Sequence, residues 1–201
     1  MAHRGRRSVG QPDPSRLKAL VVLSHEGKAL AGFALLLACA AAFVWLTALS
    51  LPAVVASHFE GDGYANGFMS RGAYVGFTLA FVVGLPALLL LLSHFAFGRP
   101  GARINLPNRE YWLSPERRDE TVSSLRGGVR QFMAMLVVFL CYVHWLVVRA
   151  NQTSPPRLST PWMIGGLVAF GAFALVWTRR LLRRFRARPS SQGQERARSD
   201  G

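Results

Sequence analysis

Four long runs of this chain contain no charged residue: Ala29–Leu51, Gly72–Gly98, Gln131–Val148 and Leu158–Thr178. A helix crosses the hydrocarbon core of a bilayer with about 20 mostly apolar residues, within a range of roughly 17–25. Each run lies close to that range. None shows the polar stripe, recurring every ~3.6 residues, that marks a half-buried soluble helix. The runs predict an all-α integral membrane protein with four transmembrane helices, at 29–51, 73–97, 131–148 and 162–178. The first run is too long for a secretory h-region of about 7–15 residues, so we expect it to be retained.

The charges explain how those helices are threaded. The chain has 24 basic and 10 acidic residues, a net charge of +14. A balance this basic is also met in nucleic-acid-binding domains, but its distribution argues against a nucleic-acid partner. Six basic residues precede the first run, one separates runs one and two, seven lie between runs two and three, two follow run three and eight follow run four. This alternation is the positive-inside pattern. It predicts both termini and the segment 98–130 on the cytoplasmic side, with 52–72 and 149–161 outside. The expected location is the plasma (inner) membrane, multi-pass, in a bacterium. The expected partners are the bilayer itself and anionic lipid at its cytoplasmic face.

The connecting segments carry local signals. Residues 1–28 form a basic tail, in which Ser15–Leu30 reads either as an amphipathic helix on the inner leaflet or as solvated chain. Pro86, just after Gly84, should kink the second helix. In the inner segment, Tyr111 and Trp112 suit the headgroup zone. Ser114-Pro115-Glu116 reads as a helix start, with a serine cap, proline at the first position and an acid in the first turn. A short helix to about Leu125 should then meet a flexible joint at Gly127-Gly128. The loop 149–161 is short, extended and proline-rich; its Asn151-Gln152-Thr153 sequon lies too near the bilayer to be glycosylated. Residues 179–201 form a second basic tail whose last dozen residues have a disordered composition. Cys39 and Cys141 sit mid-run and are expected to pack as small hydrophobes between helices rather than as a disulfide.

The densest polar chemistry lies in Leu51–Arg71, the first outer loop. His58, Glu60 and Asp62 alternate, so an extended strand would place them on one side. With His144, expected at the same outer level, they are the candidate metal ligands, since imidazole and carboxylate suit zinc and similar ions. Asp62-Gly63 and Asn66-Gly67 are turn dipeptides and predict a compact double turn. Phe59, Tyr64, Phe68 and Met69 would tuck against the bundle or the leaflet. Neither a nucleophile elbow, a phosphate loop nor a zinc-protease helix occurs, and no acid or base lies deep in a run, so neither catalysis nor intramembrane proton coupling is indicated. No cofactor is expected.

Leu51-Pro52, His58-Phe59, Gly63, Gly67 and Ser70-Arg71 resemble the signature of a bacterial membrane family, domain of unknown function 1648. Asn105-x-Pro107-Asn108 and Tyr111-Trp112-Leu113 are similar to text that follows it in longer members. The likeness covers roughly 45–115, with departures at Ala56, Glu60 and Asn66. A similar module occurs in immunity membrane proteins that protect bacteria from a secreted killing peptide and relay its presence to a repressor. The resemblance implies that Leu51, Pro52, His58, Phe59, Gly63 and Gly67 form a ligand motif. Its implied role is to sense an extracytoplasmic ligand, with a membrane or regulator protein as partner. The alternative expectation is a metal-binding membrane enzyme or a small transporter subunit.

Overall fold

The computed structural model describes residues 14–99 and 104–186. The expected tail residues outside that range, Pro100, Gly101 and Arg103 of the inner segment, and the C-terminal dozen all lie outside the described residues. Six α-helices and one β-hairpin follow in order: α1 (Pro14–Ala48), β1 (Val54–Phe59), β2 (Ala65–Ser70), α2 (Arg71–Leu79), a π-helical turn (Ala80–Gly84), α3 (Leu85–Gly98), α4 (Arg109–Trp112), α5 (Arg118–Ala150) and α6 (Thr160–Arg186). Four helical stretches are long and apolar enough to cross a membrane: Ser24–Ala48, Arg71–Gly98, Arg118–Ala150 and Thr160–Arg186. The chain divides into two compact units, Met1–Leu36 and Leu37–Gly201. In the first, the described residues form the start of α1, so the expected separate helix from Ser15 is the leading part of a longer one.

The second unit is organised around α5, which packs against α3, the π-turn, α6 and β1. Burial separates it from its neighbour: 33% of the most apolar window of α5 is buried, against 0% of that of α6. The described residues are mostly helical, at 74%. They are not all-α, because the connection between the first two spans folds into a two-stranded antiparallel sheet.

Proline shapes the second span without breaking it. Pro86 has no N–H, and its ring would collide with the carbonyl four residues back in a regular helix. The preceding turn widens instead: the Leu85 N–H donates to the carbonyl of Ala80, five residues back. A π-turn is one of the usual ways a helix absorbs such a defect. Val82 and Pro86 are both fully buried, so the adjusted turn lies inside the packing.

The segment between the second and third spans differs from expectation in two respects. α5 runs unbroken from Arg118, and Gly127-Gly128 is part of it rather than a joint. The physical reason is packing. Gly128 lies against α6, where a Cβ would sit 3.6 Å from Trp177 and 3.7 Å from Leu181. Ser114 caps a turn rather than the helix itself; its carbonyl accepts from Arg117 and Arg118, 3.0 and 2.9 Å away, and the helix starts one turn later. Cys39 and Cys141 are both free; Cys39 is exposed rather than packed between helices.

Candidate functional site

The connection between the first two spans is a hairpin because its sequence alternates. Along β2, Ala65, Gly67 and Met69 are partly covered while Asn66, Phe68 and Ser70 are exposed, the period of two that a strand imposes. Val54 pairs with Ser70, Val55 with Met69, Ala56 with Phe68, His58 with Gly67 and Phe59 with Ala65, with irregularities on either side of His58. The turn closes through Glu60 N–H to the Tyr64 carbonyl and Gly63 N–H to the Glu60 carbonyl, both 2.9 Å. Asp62 Oδ1 accepts from the Tyr64 N–H at 3.0 Å, a side chain stabilising its own turn.

This arrangement revises the double turn. Asp62-Gly63 does turn, and Gly63 takes φ +89. Asn66-Gly67 lies inside β2 instead. Gly67 is needed there for space: a Cβ would stand 2.8 Å from the Cβ of His58 across the ladder. The predicted common face of His58, Glu60 and Asp62 is also absent, because β1 ends at Phe59 and the two acids fall in the turn.

The hairpin is fastened on three sides. At its base, the Arg71 N–H donates to the Ala53 carbonyl at 2.9 Å and its guanidinium to the Leu51 carbonyl at 3.1 Å. Ser70 then caps α2, its hydroxyl accepting from the Ala73 N–H at 3.2 Å, so the strand feeds directly into the helix. Underneath, Leu51 and Val55 join Ala48, Tyr74, Val147 and Val148 in a buried cluster, with Phe59 and Met69 packed on it. Along the free edge of β1, the Asn151 amide pairs with Ala56 in both directions: Nδ2 donates to its carbonyl at 3.0 Å and Oδ1 accepts from its N–H at 2.9 Å. One side chain thus substitutes for a neighbouring strand.

The connection between α5 and α6 clamps the tip. Leu158 N–H donates to the Gly63 carbonyl at 2.8 Å, and Thr160 Oγ1 to the Gly61 carbonyl at 3.3 Å. The Arg157 guanidinium lies 4.6 Å over the ring of Tyr64. Any side chain at Gly63 would collide with the Leu158 carbonyl. Glycine is therefore required twice over, by its φ and by this contact.

Below the hairpin, His144 joins three helices. Its Nε2 is 2.8 Å from Thr47 Oγ1 on α1, and its Nδ1 is 2.9 Å from the Tyr74 hydroxyl on α2. Thr47 already donates to the carbonyl of Phe43, 2.6 Å away, so it accepts from His144. Nδ1 then accepts from Tyr74. The relay runs Tyr74, His144, Thr47, Phe43, with a neutral imidazole at its centre and both ring nitrogens occupied. The ring also stacks on Tyr74 at 5.7 Å and meets Phe43 edge-on at 5.9 Å. His144 is 2% exposed.

The candidate metal ligands are accordingly not gathered. His144 is buried in the relay, Glu60 accepts from Asn66 Nδ2 at 3.0 Å, Asp62 serves its turn and His58 is exposed on β1. Among the described residues, no group of three or more His, Cys, Asp or Glu is placed to hold a metal ion. The ligand-motif residues also part company. Leu51 and Phe59 face the core, Gly63 and Gly67 permit close approaches, and only Pro52 and His58 are exposed. The exposed set they lead to is His58, Asn66, Phe68 (56% exposed) and Val54 (61% exposed).

Sequence reasoning missed Thr47 and Tyr74, read Asn151 only as part of a sequon, and treated His144 as a loop-level ligand. One signal was available: polar side chains inside apolar runs seldom face lipid and usually find one another.

At the opposite end, aromatic and basic donors reach helix carbonyls. Trp112 Nε1 donates to the Phe185 carbonyl at 2.9 Å, and its ring meets that of Phe185 edge-on at 5.4 Å. Trp112 is half-buried and packs on a cluster of buried Ile104, Val122, Leu125 and Phe185. Arg118 donates to the Arg99 carbonyl at 2.7 Å and Arg126 to that of His94 at 3.2 Å. Comparison with protein-family models, curated proteins and solved structures finds no match to this chain in any of the three.

Proposed function

We propose that this is a non-enzymatic, multi-pass protein of the bacterial plasma membrane, whose hairpin is a rigid extracytoplasmic platform for recognising a ligand or partner protein. The observation that carries this reading is the division of labour within one hairpin. Its inner residues are committed to the core, its edge and tip are clamped, and a mixed polar and aromatic face at His58, Asn66 and Phe68 is left on display. A surface held this firmly loses little conformational entropy on binding. An exposed aromatic beside polar groups is typical of recognition surfaces. The basic-residue series supports the sidedness, with the hairpin outside and both termini in the cytoplasm. The residues that carry the family resemblance fit the same reading, since most of them build the hairpin and keep its shape.

Two measurements test the proposal. With Cys39 and Cys141 replaced by alanine, an Asp62→Cys variant should react with an impermeant thiol reagent in intact cells, and an Asp119→Cys variant only after lysis. The reverse pattern breaks the orientation. A photo-crosslinking residue at His58, Asn66 or Phe68 should yield one discrete adduct in cells, absent when the probe replaces the exposed Leu88 of α3. Identical patterns at both places reject the recognition role.

A further inference from the structure

The arginine-rich end holds an open cleft of about 450 Å³ between α5 and α6. Its composition changes along its length. Phe173, Val176 and Trp177 line one part, and they precede Thr178, the last residue of the fourth charge-free run. Arg180 and Arg184 line the other part, one helical turn apart and therefore on the same face of α6. On the α5 side, Gly127 and Gly128 supply no side chain, so the wall is low between Ser124 and Gln131. Gln131 adjoins Phe132, whose ring packs on Phe170, Phe173 and Trp177 and fixes the apolar half. No acidic side chain is among the described residues lining the cleft.

We propose that this cleft seats one anionic phospholipid. Its phosphate lies on Arg180 and Arg184, and one acyl chain runs along Phe173, Val176 and Trp177. Three features argue for this occupant. Two guanidiniums on one helix face, with no carboxylate among the described lining residues, call for an anion, and arginine matches phosphate oxygens in a fork. The polarity switch falls where a charge-free run gives way to arginines, the level at which a phospholipid makes the same switch. A free phosphate would use only the arginine half and leave Trp177 and Phe173 uncovered. Ser124 and Gln131 add neutral hydrogen-bonding groups beside the headgroup and glycerol region. Basic tails attract anionic lipid generally and without stoichiometry. This seat is distinct in being shaped and holding one molecule.

Native mass spectrometry of the full chain, titrated in mild detergent with phosphatidylglycerol, provides the test. We expect a saturable one-lipid adduct that millimolar inorganic phosphate does not displace. A double variant, Arg180→Gln with Arg184→Gln, should weaken it by about tenfold. Arg179→Gln with Arg183→Gln removes the same charge from the same helix, away from the cleft lining, and should leave it roughly unchanged. Gly127→Leu keeps every charge but fills the cleft, and should also weaken binding; it carries the test if the arginine variant does not fold. Equal loss in the two arginine pairs means unspecific attraction and overturns the proposal. So does displacement by phosphate, a preference for phosphatidylcholine, or unchanged binding in Gly127→Leu.

Discussion

The two ends of the helices are finished in different ways. At the hairpin end, two short connections bond to each other: Asn151 reaches Ala56, 95 residues away, and Leu158 reaches Gly63. At the arginine-rich end, side chains serve the helix termini instead. The carbonyls of His94 and Arg99, where α3 ends, and of Phe185 and Arg186, where α6 ends, accept from Arg126, Arg118, Trp112 and Asn108. The last carbonyls of a helix have no partner of their own and carry the negative end of its dipole, so donors suit them, cationic ones at α3 and the neutral Trp112 and Asn108 at α6. The contrast teaches that arginines expected from sequence to orient the chain also serve its packing. Arg118 and Arg126 close the end of α3 that faces away from the hairpin. The hairpin end has fewer cations, Arg71 and Arg157 among them, and is closed mainly by backbone groups and the Asn151 amide in fixed geometry; it gains a defined surface as a result.

That contrast can be broken by substitution. His144→Ala should have the largest effect, because it leaves Tyr74 and Thr47 without their shared partner and opens a cavity among three helices. We expect a loss of about 2–4 kcal/mol in unfolding from detergent micelles followed by circular dichroism. A loss no larger than that of a single interhelical hydrogen bond, about 0.6 kcal/mol on average in membranes, would mean that the relay does not hold the hairpin end together. Trp112→Phe is the matching probe at the other end. It keeps the ring against Phe185 and removes only the N–H donor to a terminal carbonyl, so about 1 kcal/mol is expected in the same assay. An effect equal to that of His144→Ala would erase the difference between the ends.

Glu116→Gln should have the smallest effect. Its own backbone N–H and the Ser114 hydroxyl hold its carboxyl below the ordinary value of 4.5. A depressed carboxyl adds stability that is present above its unfolded pKa and fades as pH falls through the folded one. Glu116 is exposed, and solvent screens such contributions. Any gap between the unfolding midpoints of the two proteins should therefore be small, widest near neutral pH and closing as pH falls through the carboxyl's range. A neutral-pH gap as large as that of Trp112→Phe would show that this turn matters to α5 as the Trp112 contact does.

Much of the fold was legible because the rule behind it is local. A charge-free run long enough to cross a bilayer needs no knowledge of its neighbours, and all four appear as helices. Local turn chemistry did less well. Asp62-Gly63 turns as expected, but Asn66-Gly67 has the same type of sequence and lies in a strand, because pairing with His58 and Phe59 outweighed it. Gly127-Gly128 suggested a joint, and contact with Trp177 and Leu181 keeps it helical. The candidate site suffered most. Its residues were chosen by nearness in sequence, whereas Thr47, Tyr74 and His144 meet from three separate helices.

The sequence by itself thus determined the four apolar helices and the uneven placement of positive charge, because transfer into lipid is decided residue by residue along a continuous stretch. Only the tertiary structure decided that the connection between the first two spans is a clamped hairpin, that His144 is a buried link rather than a ligand, and that a cleft opens beside Arg180 and Arg184. Each of those depends on hydrogen bonds or packing between residues far apart in the chain. The satisfaction of a polar group depends on which partners the fold brings within reach, and no single stretch contains that information.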